Sequence, residues 1–320
     1  MGGAYLAKKL LHASFTLLFV LAFNFFLFRV LPSDPVSINA RSQRLTETDI
    51  QEQLENFGLL EPLPTQFVRF LSNTAQGDFG LSFRTGQPVT EAIAARIWPT
   101  VLLVGLSTLL STFFGVLIGI KGAWQRGSAF DNTSLFGSLI FYSMPEGWLG
   151  MILILVFVGW LGWFPAGGYT SGTETGFAHI VDVAKHLFLP CLTLTLGYIG
   201  EYAIVMRSSL LEVKDEEFVA TARAKGVKDT DVRRRHAVPN ALLPTLTLVF
   251  YSFGFVLGGA IIIEYVFSWP GLGSLTYDAI NELDYPLLQA IFLLTSTAVI
   301  LFNLAADILY VYLDPRVGEN

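Results

Sequence analysis

Apolar residues in this chain gather into six runs, near Leu10 to Leu31, Thr100 to Trp124, Leu135 to Phe164, Leu187 to Val205, Leu242 to Phe267 and Leu287 to Leu313. A bilayer span needs about 20 mostly apolar residues. Helices are the expected form, because lipid offers exposed backbone groups no hydrogen-bond partner. The pattern predicts an all-α integral membrane protein with six transmembrane helices. Lys8 and Lys9 precede the first run as they would in a secretory signal, but the run is too long and no small-residue cleavage site follows before Pro32, so it is read as a retained span.

Composition agrees. Of 320 residues, 52% are hydrophobic and 14% charged, and the mean hydropathy is +0.55, more apolar surface than one soluble core buries. Charge then orients the chain. Lys8, Lys9, Lys121, Arg126, Arg316 and eight basic residues between Arg207 and Pro244 fall on one side of the predicted spans, against Lys185 alone in the opposite short loops. Both termini and the 207–244 segment are therefore expected in the cytoplasm, with Pro32 to Ile97 outside. Trp98, Trp124, Trp160, Trp163 and Trp269 lie near span ends, where an amphipathic ring settles, and Trp148 does not. The net charge of −6 gives no support to nucleic-acid binding, since acids concentrate outside and bases inside. The single cysteine, Cys191, rules out an intrachain disulfide.

The expected organisation is an N-terminus with span 1 (1–31), a small helical extracellular insertion (32–97), a core holding spans 2–6 (98–313) and a tail (314–320). In the insertion, Thr46 with Asp49 marks a helix start, Ile50, Leu54 and Phe57 recur at helical spacing, and Gly58 ends the run. Pro62 and Pro64 interrupt; Phe67, Phe70 and Leu71 suggest another short helix, and Gly77-Asp78-Phe79-Gly80 a turn. The insertion is read either as a cover packed on the spans or as a docking platform.

Within 207–244, Asp215 is placed to cap a helix with Glu216 and Glu217 in its first turn and Gly226 as its stop. Phe218, Val219 and Ala222 are expected along one side, with Arg223 and Lys225 near the negative end. A second helix is expected from Asp229 through Arg233, Arg234 and Arg235 until Pro239 disrupts it. The result is a helical knob. Its basic cluster fits anionic membrane lipid; the small residues Ala220, Ala222 and Ala224 between the charges fit close approach by a protein partner.

Four acids lie in or beside apolar runs, where a charge faces protein or a watery path. Glu146, between Pro145 and Gly147 where a helix should break, and Glu201 are candidates for a translocation path or for helix–helix contacts. Glu264 and Asp307, near span ends, are read as helix–helix contacts or as span-end residues in water. His12, His179, His186 and His236 are scattered without ligand spacing, so no metal site is expected.

The stretch EFVATARAKGVKDTDVRRRHAVPNALLP closely resembles the cytoplasmic coupling segment of ABC importer permeases, and more narrowly of the dipeptide, oligopeptide and nickel group. GLLEPLPTQFVRFL, GDFGLSF, GWFPAGGY at Gly162 to Tyr169, EYVFSWPGLG at Glu264 to Gly273, DYPLLQ at Asp284 to Gln289 and LDPR at Leu313 to Arg316 extend the likeness over nearly the whole chain, in one order. One departure stands out: where the broader pattern begins its coupling helix with Glu-Ala-Ala, this chain has Ala220, Thr221 and Ala222, so that glutamate's role passes to no residue here.

The resemblance implies a type I importer permease fold in a bacterial cytoplasmic membrane, the B-type subunit of a peptide permease. It implies a second, related permease chain, two ABC ATPase subunits or domains using ATP and magnesium, and an external substrate-binding protein. Glu217, Phe218, Val219, Ala220, Thr221, Ala222, Arg223, Ala224, Lys225 and Gly226 would form the coupling helix. This chain would bind no cofactor and catalyse nothing: it lacks a G-x-x-x-x-G-K-[ST] phosphate cradle and the H-E-x-x-H and G-x-S-x-G signatures. A same-family permease for nickel, haem or oligosaccharide, and an ion-driven secondary transporter, are the competing expectations.

Overall fold

The computed structural model describes residues 3–30 and 60–313, so the helix expected from Thr46 to Gly58 and the tail from residue 314 lie outside the described residues. Apart from an isolated bridge between Leu81 and Pro88, the described architecture is helical. The elements are α1 (Gly3–Val30), α2 (Leu63–Ala75), α3 (Val89–Trp124), α4 (Ala129–Ser143), α5 (Glu146–Trp160), α6 (Phe177–Lys214), α7 (Glu217–Ala224), α8 (Asp229–Gly258), α9 (Ile261–Val266), α10 (Leu272–Asn281) and α11 (Tyr285–Leu313).

Five helices, α1, α3, α6, α8 and α11, are long and apolar enough to cross a membrane, and a sixth span results when α4 and α5 count as one. That third run is not the straight helix that hydropathy outlines. Pro145 cannot continue the hydrogen-bond ladder of α4, and α5 leaves at 98° to it. The fourth and fifth runs also differ. At 1.5 Å per residue the 38 residues of α6 reach about 57 Å, well past the roughly 30 Å of hydrocarbon. The helix persists beyond its apolar window because protein packs on its polar ends. The fifth span, by contrast, stops at Gly258; Gly259 turns the chain at φ 70° into the short helices α9 and α10 instead of carrying the span to Phe267.

Helix α6 is the axis of the bundle. It meets α3 where glycines replace side chains: a Cβ on Gly119 would lie 2.7 Å from the Ala203 carbonyl oxygen, and one on Gly115 2.6 Å from Tyr202 Cβ. Gly115 and Gly119 form the G-x-x-x-G spacing that lets membrane helices approach closely without a hydrophobic driving force. Around this axis lie three apolar clusters. One, at the basic end, gathers Ala123, Met206, Leu210, Val219, Ala222, Val232, Ala237 and Ala241. A second joins α3 and α6 to Ile263, Phe267 and Trp269, and the third seats α10 and α11 on Val89 and Ile93. The exposed side of α1 is apolar, with Leu11, Phe15, Leu18 and Phe19 uncovered.

The described part of the insertion packs as a cover. Phe67 and Phe70 of α2 bring their rings 5.1 and 5.6 Å from Phe25 of α1. Ser82 and Phe83 of GDFGLSF donate hydrogen bonds to the buried carboxylate of Asp284 in DYPLLQ.

Candidate coupling site and translocation path

At the basic end, α7 is a two-turn helix laid across the ends of α3, α6 and α8. Its start differs from expectation. Asp215 closes α6, with its N–H donating to Glu212 O, and Glu216 takes the extended N-cap position without a side-chain cap bond. Gly226 ends the helix with φ at 77°, a left-handed conformation that costs a residue with a Cβ about 1–2 kcal/mol.

The two faces of α7 have different surroundings. Val219 is fully buried and Ala222 is 7% exposed, both inside the basic-end cluster. Phe218 does not share their face: it is 41% exposed. It lies on the outer side with Glu217, Ala220, Thr221, Ala224 and Lys225. The inner face fixes the knob to the spans, and the outer face is an exposed ridge of one ring, two alanines and a threonine with charges at its flanks.

Pro239 does not end the next helix. The turn before it widens to π geometry over Val232–Ala237, and α8 runs through the proline into the membrane. With no N–H to give, Pro239 would leave the preceding turn short of donors; Asn240 supplies one, Nδ2 to His236 O at 2.6 Å. Arg234 and Arg235 are exposed, whereas Arg233 turns inward.

Arg233 turns toward Trp124, the last residue of α3. The cations of Lys214, Arg223 and Arg233 stand 5.1, 5.8 and 5.8 Å from its ring, and its Nε1–H donates to Asp229 Oδ2 at 2.7 Å. Lys214 Nζ also donates to Ala123 O at 2.9 Å. A second clamp lies beside it: Arg207 of α6 grips the buried carboxylate of Asp131 on α4 by two bonds of 2.6 and 2.9 Å. Position alone marks Trp124 as an interfacial ring and leaves Asp131 unremarked; neither contact is visible without the fold.

Glu146 and Glu201 share one neighbourhood. Glu146 opens α5 just past the 98° bend, and its Cγ would be 3.6 Å from a Cβ at Gly197 of α6. Glu201 lies one turn further along α6, and Tyr198 interacts electrostatically with both carboxylates. Both acids are half-buried. Glu264 is fully buried, with Oε1 accepting from Thr100 Oγ1 and Oε2 from Ser274 N, each at 2.9 Å. Asp307 pairs with Lys9 at 2.9 Å, joining α11 to α1. Of the two readings left open for these acids, a helix–helix contact or a span-end residue in water, both make the contact, Glu264 fully buried and Asp307 partly exposed.

Residues 111–319 match the family described as "Binding-protein-dependent transport system inner membrane component", and residues 4–104 match "Binding-prot-dependent transport system membrane comp, N-term". The chain belongs to this family of ABC importer membrane components. Among similar permeases, "Probable peptide ABC transporter permease protein y4tP" of Sinorhizobium fredii is 38% identical over 98% of this chain and 99% of its own length. "Oligopeptide transport system permease protein AppB" of Bacillus subtilis is 36% identical over the same shares. "Glutathione transport system permease protein GsiC" of Escherichia coli strain K12 is 38% identical over 98% of each chain. A solved chain from "Inward facing conformations of the MetNI methionine ABC transporter" superposes with a TM-score of 0.54 at 19% identity, over 69% of this chain and 96% of the other, a likeness of fold. As a multi-pass importer permease the chain is a membrane component, and its folded basic knob is part of that component's architecture.

Proposed function

We propose that this permease forms half of the translocation path of an ATP-driven importer for di- and oligopeptides. A second, related permease supplies the other half, an external binding protein delivers the cargo, and two ABC ATPase subunits or domains, using ATP and magnesium, grip the outer face of α7. The basic end and both termini then lie in the cytoplasm, in keeping with the distribution of Lys and Arg. The peptide class rests on the named cargo of the relatives.

The observation that carries the mechanical reading is the two-faced coupling helix. Val219 and Ala222 are held in the permease's own core while Phe218, Thr221 and Ala224 stand exposed, so a push on the ridge reaches α3, α6 and α8 without passing through a flexible loop. Closure of the ATPase pair biases the spans outward and hydrolysis releases them, the energy entering through contacts that differ between the two states. Glu146 and Glu201, beside Tyr198 at the bend between α4 and α5, are assigned to the path, where a peptide's ammonium group is the cation they would meet.

The test is reconstitution of the complex co-purified from native membranes into proteoliposomes. Uptake of labelled di- and tripeptides that needs ATP and magnesium on the knob side, and no ion gradient, is the expected result. Uptake by the chain alone, or driven by an ion gradient, contradicts the reading. ATP-driven uptake of nickel, haem or an oligosaccharide in place of peptide would keep the mechanism and replace the cargo.

A further inference from the structure

We propose that Trp124 is the joint through which the knob moves the spans, a positioning residue for coupling; the proposal rests on the ATPase-coupling reading above. A tryptophan at a span end ordinarily anchors in lipid headgroups. Here the indole is occupied otherwise. Its N–H is bonded to Asp229, and the cations of α6, α7 and α8 surround its ring through Lys214, Arg223 and Arg233. One side chain at the end of α3 therefore touches three other elements at the basic end, α6, α7 and α8.

Charge makes the arrangement directional. Three cations converge on a ring whose π face attracts each of them, while Asp229 holds the ring edge and lies 3.7 Å from Arg223. Without the ring, Lys214, Arg223 and Arg233 would keep their mutual repulsion and lose the group that each prefers to it. The apolar contacts of Val219 and Ala222 seat α7 on the bundle, and the ring adds a charged linkage from α7 to the end of α3. Rotation or lift of α7 must break the contact of Arg223 with the ring and its ion pair with Asp229 together, while the Asp229 bond keeps the ring on α8, so α3 and α8 follow α7. Through the glycine contact between α3 and α6, the movement reaches the bundle axis.

The experiment measures peptide imported per ATP hydrolysed by the reconstituted complex. Trp124→Leu keeps apolar bulk and removes the π face and the donor. It is expected to lower this ratio roughly tenfold or more, equal to about 1.4 kcal/mol of lost linkage, while co-purification of ATPase subunits is unchanged. Trp124→Phe retains a ring face without the N–H and is expected to recover most of the ratio. A ratio for Trp124→Leu within twofold of wild type, or loss of the ATPase from the complex in its place, overturns the proposal. If Trp124→Leu does not insert and fold, the double variant Arg223→Gln with Arg233→Gln supplies the measurement: it keeps the ring and removes two of its three cations, is expected to lower the ratio at least roughly fivefold, and a ratio within twofold of wild type overturns the proposal equally. A wild-type complex with no ATP-driven uptake would instead sink the coupling reading, before any variant is compared.

Discussion

Replacing Glu264 by alanine tests whether α9 and α10 are tied to α3 by one buried carboxylate. Glu264 is fully buried and accepts from Thr100 Oγ1 and Ser274 N. Thr100 in turn accepts from Leu272 N at 2.6 Å, and Trp269 Nε1 donates to Pro99 O at 2.9 Å. In Glu264→Ala the threonine hydroxyl can turn to another acceptor, but the Ser274 N–H cannot. At about 1–3 kcal/mol for a donor left without a partner, the loss comes to about 2 kcal/mol. Glu264→Gln keeps one carbonyl oxygen for that donor and turns its amide toward Thr100, for a loss of about 1 kcal/mol. Thermal unfolding of the complex in detergent reads the difference as a fall of roughly 4 °C for alanine and roughly 2 °C for glutamine. Equal falls for the two variants, or an alanine variant as stable as wild type, would refute the reasoning.

Three further predictions concern the basic half of the bundle. Asp131→Asn turns a bidentate ion pair into a single hydrogen bond from the charged Arg207 to a neutral amide oxygen, and a loss of about 2 to 3 kcal/mol is expected in thermal unfolding, less than for a fully buried pair because Arg207 keeps some contact with water. Gly119→Val pushes a branched side chain into the Ala203 backbone, which has no rotamer to yield; a loss of about 3 kcal/mol or more, seen as poor yield of folded protein, is expected. At Gly226 a Cβ meets nothing within 4 Å, so only the positive φ matters. Gly226→Asn, which tolerates that conformation, is expected to retain uptake, and Gly226→Val to lose most of it, both with normal membrane insertion.

The spans were legible because lipid demands long apolar runs, and the knob because Gly226 and the acids of its first turn are local signals. The break at Pro145 and Glu146 was also readable, since proline removes a donor wherever it stands. What escaped was set by tertiary contact. Phe218 is adjacent to Val219 in an apolar pair, and the cluster formed by the ends of α3, α6 and α8 decides which of them turns inward. Pro239 reads as a stop until a π turn before it and Asn240 after it satisfy the backbone. The Gly115 and Gly119 spacing was a usable signal, visible in the chain, for the contact between α3 and α6. Trp124 and the pair of Asp131 with Arg207 had no such signal: their partners lie far along the chain, and hydropathy treats each as an isolated interfacial or polar residue.

The most direct measurement is proximity cross-linking from single cysteines on α7, in a Cys191→Ser background, within native membranes. Thr221→Cys and Ala224→Cys, on the exposed ridge, are expected to capture an ABC ATPase subunit with a yield that changes when ATP is bound. Val219→Cys, buried in the permease's own core, is expected to capture none. Absence of an ATPase from the products at both exposed positions, with the complex intact, would contradict the claim that this helix is where the motor takes hold.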